Sequence, residues 1–191
     1  IITLMGGYLP TFSYEILLNE LRGVLDFCII GEGEISLLKL LHTLNSKKDV
    51  GSLKGIAYLK RGRIVCGGKG EEIEELDKLP FPYRGRIRKE ASILISRGCP
   101  FKCSFCTIRN YYIHPYRFRS VKSVIKELEY LKFRGVRRIK ILDDNFIPSL
   151  AWFEELYKKM RIHKLNQIYY EAQLHPLKIL QIPRLLWMLH K

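Results

Sequence analysis

Apolar positions along this chain switch between two spacings. Short apolar runs at residues 1–5 and 25–30 are each followed by a segment with helical periodicity, which predicts alternating strands and helices. Residues 1–5 read as a buried strand ending at Gly6-Gly7, and Ser13 reads as the cap of a short helix reaching about Leu21. The turn Gly31-Glu32-Gly33-Glu34 opens an amphipathic helix with Ile35, Leu38, Leu41 and Leu44 on its predicted inner stripe. Residues 55–60 and 63–65 flank Arg61-Gly62 as a hairpin. From residue 67 to about residue 90 the periodicity gives way to glycines, an acidic stretch and Leu79-Pro80-Phe81-Pro82-Tyr83, the chemistry of a linker.

Beyond that linker the alternation resumes. Residues 91–96 predict a strand running straight into a cysteine-rich loop, and the helix after Ser120 buries Val121, Val124, Ile125, Leu128 and Leu131 before a stop at Gly135. A strand at 136–142 carries Asp143-Asp144-Asn145 at its carboxyl end. Ser149 then starts a helix with Leu150, Phe153, Leu156 and Met160 inward, residues 167–173 form a third strand, and a last helix runs into Lys191. The fold class is α/β: a doubly wound part over 1–66, a linker over 67–90, and three β/α units of a parallel barrel over 91–191. Such barrels carry their chemistry at the carboxyl tips of their strands.

Composition narrows the class. With 47% hydrophobic residues in 191, the chain belongs with globular proteins. No apolar run approaches the roughly 18 residues that cross a bilayer, and the first residues lack a signal peptide's basic leader and cleavage site, so a cytoplasmic location is expected. The net charge of +14 is concentrated: residues 84–140 hold sixteen basic and three acidic side chains, so about thirteen of the fourteen charges lie there. Basic residues interleaved with Tyr111, Tyr112, Tyr116 and Phe118 are one form of a nucleic-acid footprint. The favoured reading is the solvated face of a helix bearing Lys122, Lys126, Lys132 and Arg134.

The candidate chemistry lies in five cysteines, an odd number that does not form a disulfide framework. Cys28 sits in an apolar run and Cys66 in a strand or turn, and neither is given a role. Cys99, Cys103 and Cys106 form a Cys-x3-Cys-x2-Cys loop. A closed structural zinc site takes four protein ligands, and a ferredoxin-type cluster has a thiolate for every iron. Three thiolates on a cubane leave one iron open.

This loop, with Phe105 before its third cysteine, resembles the signature of radical S-adenosylmethionine (SAM) enzymes. The wider pattern is similar to the branch with an N-terminal cobalamin-binding domain. It consists of Arg97-Gly98-Cys99-Pro100-Phe101-Lys102-Cys103-Ser104-Phe105-Cys106, Tyr116-Arg117-Phe118-Arg119-Ser120, Leu142-Asp143-Asp144-Asn145-Phe146, Gly31-Glu32-Gly33-Glu34 and Leu79-Pro80-Phe81-Pro82. The resemblance implies that Cys99, Cys103 and Cys106 bind three irons of a [4Fe-4S] cluster, and that the amino and carboxylate groups of SAM chelate the fourth. It also implies reductive cleavage of SAM to a 5′-deoxyadenosyl radical that modifies a substrate, with methyl transfer from cobalamin in some members.

The same resemblance places Phe105 beside the cluster, and Asp143, Asp144 or Asn145 at the methionine amino group. It sets Gln173 and His175 within reach of the SAM ribose or carboxylate, and Gly6 and Gly7 near the nucleotide tail of cobalamin. Arg97 and Lys102 are candidates for interaction with cluster-bound anions, and Arg117 and Arg119 for ion pairs or substrate contact. Partners implied are an electron donor such as flavodoxin or ferredoxin and a small-molecule substrate whose identity stays open.

Against the branch pattern, the Asp-x-His-x-x-Gly cobalamin motif and the later barrel strands are not in this sequence, so the chain reads as an internal fragment of low stability or oligomeric habit. Two other readings stand beside it: a methylthiotransferase-like protein acting on transfer RNA, and a non-enzymatic zinc module completed by a histidine such as His114.

Overall fold

A computed structural model describes residues 1–181, 184 and 188, apart from 52, 86–88 and 115. They divide into two units, Ile1–Ile73 with Arg109–Ile113, and Glu74–Ile108 with His114–Lys191.

The first unit is organised around a short strand with no polar face. β2 (Phe27–Ile29) is buried throughout and lies between β1 (Leu4–Met5), to which it is parallel, and β3 (Ile56–Lys60), to which it is antiparallel. β4 (Arg63–Cys66) completes the order β1-β2-β3-β4. Because neighbouring strand residues point to opposite faces, Cys28 packs with Leu18, Leu25 and Ala57 beneath α1 (Tyr8–Glu20). Phe27 and Ile29 pack with Leu40, Ile56 and Tyr58 beneath α2 (Glu34–Asn45). A helix on each face makes the sheet doubly wound, as expected. The hairpin also stands where the turn chemistry puts it: Arg61 and Gly62 have φ of 51° and 78°, and Lys60 faces Arg63 across the turn.

Three local expectations are corrected. The first strand pairs only at Leu4 and Met5, leaving Ile1 and Ile2 exposed. α1 begins at Tyr8, because Gly7 turns the chain at φ 98° and Pro10 falls in the first turn, where no amide donor is needed. Ser13 marks a kink inside it (φ −137°). In α2 the inner stripe is Leu37, Leu40 and Leu44, whereas Leu38 and Leu41 are 58% and 52% exposed. Leucine occupies both stripes of this helix, so spacing alone fits either, and the sheet selects one. Ser36 is buried against Gly55 and Gly70. A Cβ on Gly55 would collide with Ser36 Oγ and stand 2.8 Å from Gly70 Cα, so the close approach requires glycine.

The second unit is a parallel β/α succession. β5 (Glu90–Ile93), β8 (Arg138–Ile141) and β9 (Tyr169–Glu171) form one sheet in the order β5-β8-β9. β6 (Ser96–Gly98) and β7 (Tyr116–Phe118) form a separate antiparallel pair, and α3 (Ile108–Tyr111) lies between them in sequence.

α4 (Val121–Phe133) buries all five predicted apolar residues. Its N-cap Ser120 accepts from Ser123 N at 3.1 Å, and Gly135 follows at φ 83°. α5 (Leu150–Ile162) is capped in the same way by Ser149. Ile93, Ile139 and Ile141 on the sheet join Val124, Leu128, Leu131, Phe153 and Leu156 in one core. Burying each such side chain stabilises by about 1.5–3 kcal/mol.

The opposite face of the sheet is polar, with Arg138 near Glu90 (3.7 Å) and Glu171 (3.6 Å), and Lys140 at 3.3 Å from Glu171. α6 (Pro176–Gln181) follows β9. The expected continuation of that helix to Lys191 lies for the most part outside the described residues. Among the described residues, no helix is long and apolar enough to cross a membrane.

Candidate cluster-binding site

The predicted strand at 91–96 is two strands with different partners. Pairing with β8 ends at Ile93, where Leu142 N donates to Ile93 O, and the chain then swings into β6, which pairs with β7. The excursion that bears the cysteines is therefore pinned at its base by Arg97 opposite Arg117 and Gly98 opposite Tyr116. Gly98 has φ 83°, a left-handed turn directly before Cys99 that a side chain would oppose. Within the loop, Cys106 N donates to Cys103 O at 3.2 Å.

All three cysteines are free thiols, half-buried. Burial pushes the Cys99 thiol upward, and the neighbouring Cys106, Asp144 and Cys103 push the same way, so these groups share one electrostatic neighbourhood. Among the described residues no three His, Cys, Asp or Glu side chains converge on a single point suited to one metal ion. His114 Nε2 lies 3.6 Å from a Glu74 carboxylate oxygen. A cubane makes a different demand, since its thiolates attach to separate irons and stand apart around it. Three free thiols on one pinned loop suit that demand.

The three residues at the tip of β8 divide by environment. Asp143 is 1% exposed and accepts from Ile95 N at 2.7 Å and Ser96 Oγ at 2.6 Å. It fixes the bend between β5 and β6, and burial raises its carboxyl above the usual range. Asn145 is equally buried; its Oδ1 accepts from His175 N at 3.0 Å, its backbone carbonyl accepts from Tyr116 OH at 2.8 Å, and its Nδ2 has no hydrogen-bond partner. Asp144 lies between them, half-buried and close enough to act on the Cys99 thiol.

At the tip of β9, Gln173 is exposed and its backbone carbonyl accepts from Phe146 N. His175 stands with Nε2 4.0 Å from Cys103 Sγ and its ring stacked on Phe101 at 3.8 Å. Phe105 is 89% exposed. Phe101 was not singled out from the sequence; its place two residues before Cys103 was the available signal.

Much of the basic charge is engaged within the second unit. Glu127, 1% exposed on α4, pairs with Arg84 at 2.7 Å and with Arg119, whose guanidinium also reaches Leu94 O, Ser123 and the face of Phe81. Lys132 donates to His163 O and Lys164 O, and Arg134 to Tyr130 OH and Gly85 O. Arg119 is thus a framework residue, which removes one of the candidates for substrate contact.

In the first unit, Gly7 sits at the tip of β1, and a Cβ added there would stand in open space. Thr11 Oγ1 donates to Gly7 O and accepts from Gly31 N, tying the tips of β1 and β2 together. Tyr111 OH donates to Gly31 O at 2.9 Å, and its ring lies 4.3 Å from that of Tyr8.

Residues 93–179 match the family model of the radical SAM superfamily. A methyltransferase of Pyrococcus horikoshii described as uncharacterized is 29% identical over 156 residues, 76% of this chain and 34% of that protein. The hopanoid C-3 methylase of Methylococcus capsulatus is 33% identical over 149 residues, 74% of this chain and 28% of its own length. This chain therefore spans about a third of the relatives it matches. Among solved structures, the radical SAM methyltransferase TsrM from Kitasatospora setae, with cobalamin and a [4Fe-4S] cluster bound, shares the fold. Its TM-score is 0.68 at 18% identity, covering 87% of this chain and 36% of that one. The pinned three-cysteine loop, the parallel strands behind it and these likenesses lead to one conclusion: residues 93–179 carry a radical SAM superfamily domain, and the chain shares the fold of solved cobalamin-dependent radical SAM enzymes.

Proposed function

We propose that Cys99, Cys103 and Cys106 hold a [4Fe-4S] cluster that leaves one iron for SAM, and that the chain serves a radical SAM enzyme, most simply a cobalamin-dependent methyltransferase. The observation that carries this reading is the pinned loop itself: three free thiols between β6 and β7, beside the tips of β8 and β9. When bound, the cluster supplies the electron that cleaves the sulfonium of SAM.

The chain's own residues bind and orient. Asp144, half-buried at the β8 tip and close enough to act on the Cys99 thiol, is the carboxylate assigned to accept from the methionine ammonium. Asn145 Nδ2, buried without a partner, is the donor suited to the methionine carboxylate. Phe105, exposed beside Cys106, would cover the bound group. Gly6 packs against the Ile29 side chain while Gly7 faces open space at the β1 tip, and this pair is the place assigned to the tail of cobalamin. An external electron donor completes the scheme. The named relatives favour methyl transfer to a small molecule, and the internal pairing of Arg84, Arg119, Lys132 and Arg134 weakens the transfer-RNA reading.

Anaerobic reconstitution with iron and sulfide tests this. The expected product is a brown protein with four irons per chain that bleaches with dithionite and releases 5′-deoxyadenosine from SAM, as the cubane assignment requires. Cys103→Ala should lose the cluster; a variant that retained full iron content would overturn the ligand assignment. Stoichiometric colourless zinc binding would overturn the reading as a whole.

A further inference from the structure

His175, just beyond β9, reaches the cysteine loop, and its ring is held in one orientation from several directions. Leu177 N lies 3.3 Å from His175 Nδ1. A backbone amide can only donate, so Nδ1 is the acceptor nitrogen and the neutral ring carries its proton on Nε2. That nitrogen lies 4.0 Å from Cys103 Sγ, at the outer reach of an N–H···S contact. The ring is stacked nearly parallel (16°) on Phe101, two residues before Cys103 in the same loop. The backbone amide of His175 is fixed by Asn145 Oδ1, and Pro176 restricts the chain immediately after it. The tips of β8 and β9 and the loop itself thus converge on one imidazole whose donor atom is turned to one sulfur.

We infer that His175 is a positioning residue for the cluster, donating Nε2–H to the Cys103 thiolate; this rests on the cluster assignment above. A sulfur bound to iron is an acceptor, and hydrogen bonds to such sulfurs raise the reduction potential of a cluster and hold its ligand in place. This role differs from contact with the ribose or carboxylate of SAM, because it acts on the thiolate and is present before SAM binds.

His175→Phe keeps an aromatic ring against Phe101 and removes the donor. In reconstituted protein the variant should reduce at a lower potential than the parent in a dye-mediated titration. It should also release iron to EDTA about tenfold faster, the scale seen when a partner of a metal ligand is lost. Equal potentials and equal release rates in both proteins would overturn the inference. If the parent takes up no four-iron cluster, it is the cluster assignment that has failed. The tautomer supplies a test that needs neither the variant nor the metal: long-range ¹H–¹⁵N correlation spectra of the cluster-free chain should show His175 protonated on Nε2. A proton on Nδ1 would overturn the inference by itself.

Discussion

Both units place loops at the carboxyl ends of parallel strands, and they furnish them in opposite ways. In the first, the tips of β1 and β2 are glycine and backbone, joined by the hydroxyls of Thr11 and Tyr111. In the second, the tips carry thiols, carboxylates, an amide and an imidazole, behind which a buried carboxylate neutralises two arginines. The difference teaches where each kind of work belongs. A backbone cradle with open space suits a large group held by shape, whereas ionisable side chains at fixed separations suit a group that must be ligated and reduced.

If the second unit depends on buried charge and the first on neutral hydrogen bonds, the two should respond to substitution on different scales. The largest effect is expected from Glu127→Ala. It leaves Arg84 and Arg119 without their shared carboxylate inside the unit and should cost about 3–5 kcal/mol. Urea unfolding followed by tryptophan fluorescence reads this unit, because Trp152 lies in its core. A loss below 1 kcal/mol would remove the charge framework from the comparison.

Asp143 sharpens the same side through pH. Its carboxyl is raised in the folded chain, so the fold favours the protonated form. Its contribution is therefore greatest below the unfolded carboxylate value of about 3.9 and declines as pH rises from there through the raised native value. The stability difference between the parent and Asp143→Asn should accordingly shrink with rising pH across that window, and a difference that grew would reverse the assignment.

The smallest effect belongs to the first unit. Tyr111→Phe removes one neutral hydrogen bond to Gly31 O and should cost about 0.5–1.5 kcal/mol, independent of pH near neutrality. Amide exchange around Thr11 and Gly31 would register it. An effect as large as that of Glu127→Ala would erase the contrast between the units.

The elements most legible in the sequence were those whose signals are local. α4 shows its cap, its stripe and its stop within sixteen residues, and the structure places Ser120, Val121, Val124, Ile125, Leu128, Leu131 and Gly135 accordingly. The Arg61-Gly62 hairpin is legible for the same reason. α2 was not, because leucines lie on both of its stripes and only the sheet decides which is buried. The bend after Ile93 was not either, because Asp143, 48 residues away from Ile95, takes the amide that would have continued the strand.

The sequence by itself determined the chemistry available: three cysteines closely spaced in one loop, polar tips after parallel strands, and a basic segment around them. Only the tertiary structure decided how that chemistry is shared out. It buried Asp143 as a strut, left Asp144 half-buried near Cys99, orphaned the amide of Asn145, spent Arg119 on Glu127, and brought His175 to Cys103 across 72 residues. The physical reason is that spacing along a chain governs neighbours within a turn or a loop, whereas the partner of a buried polar group is set by whichever distant strand tip the packed core brings within hydrogen-bonding distance.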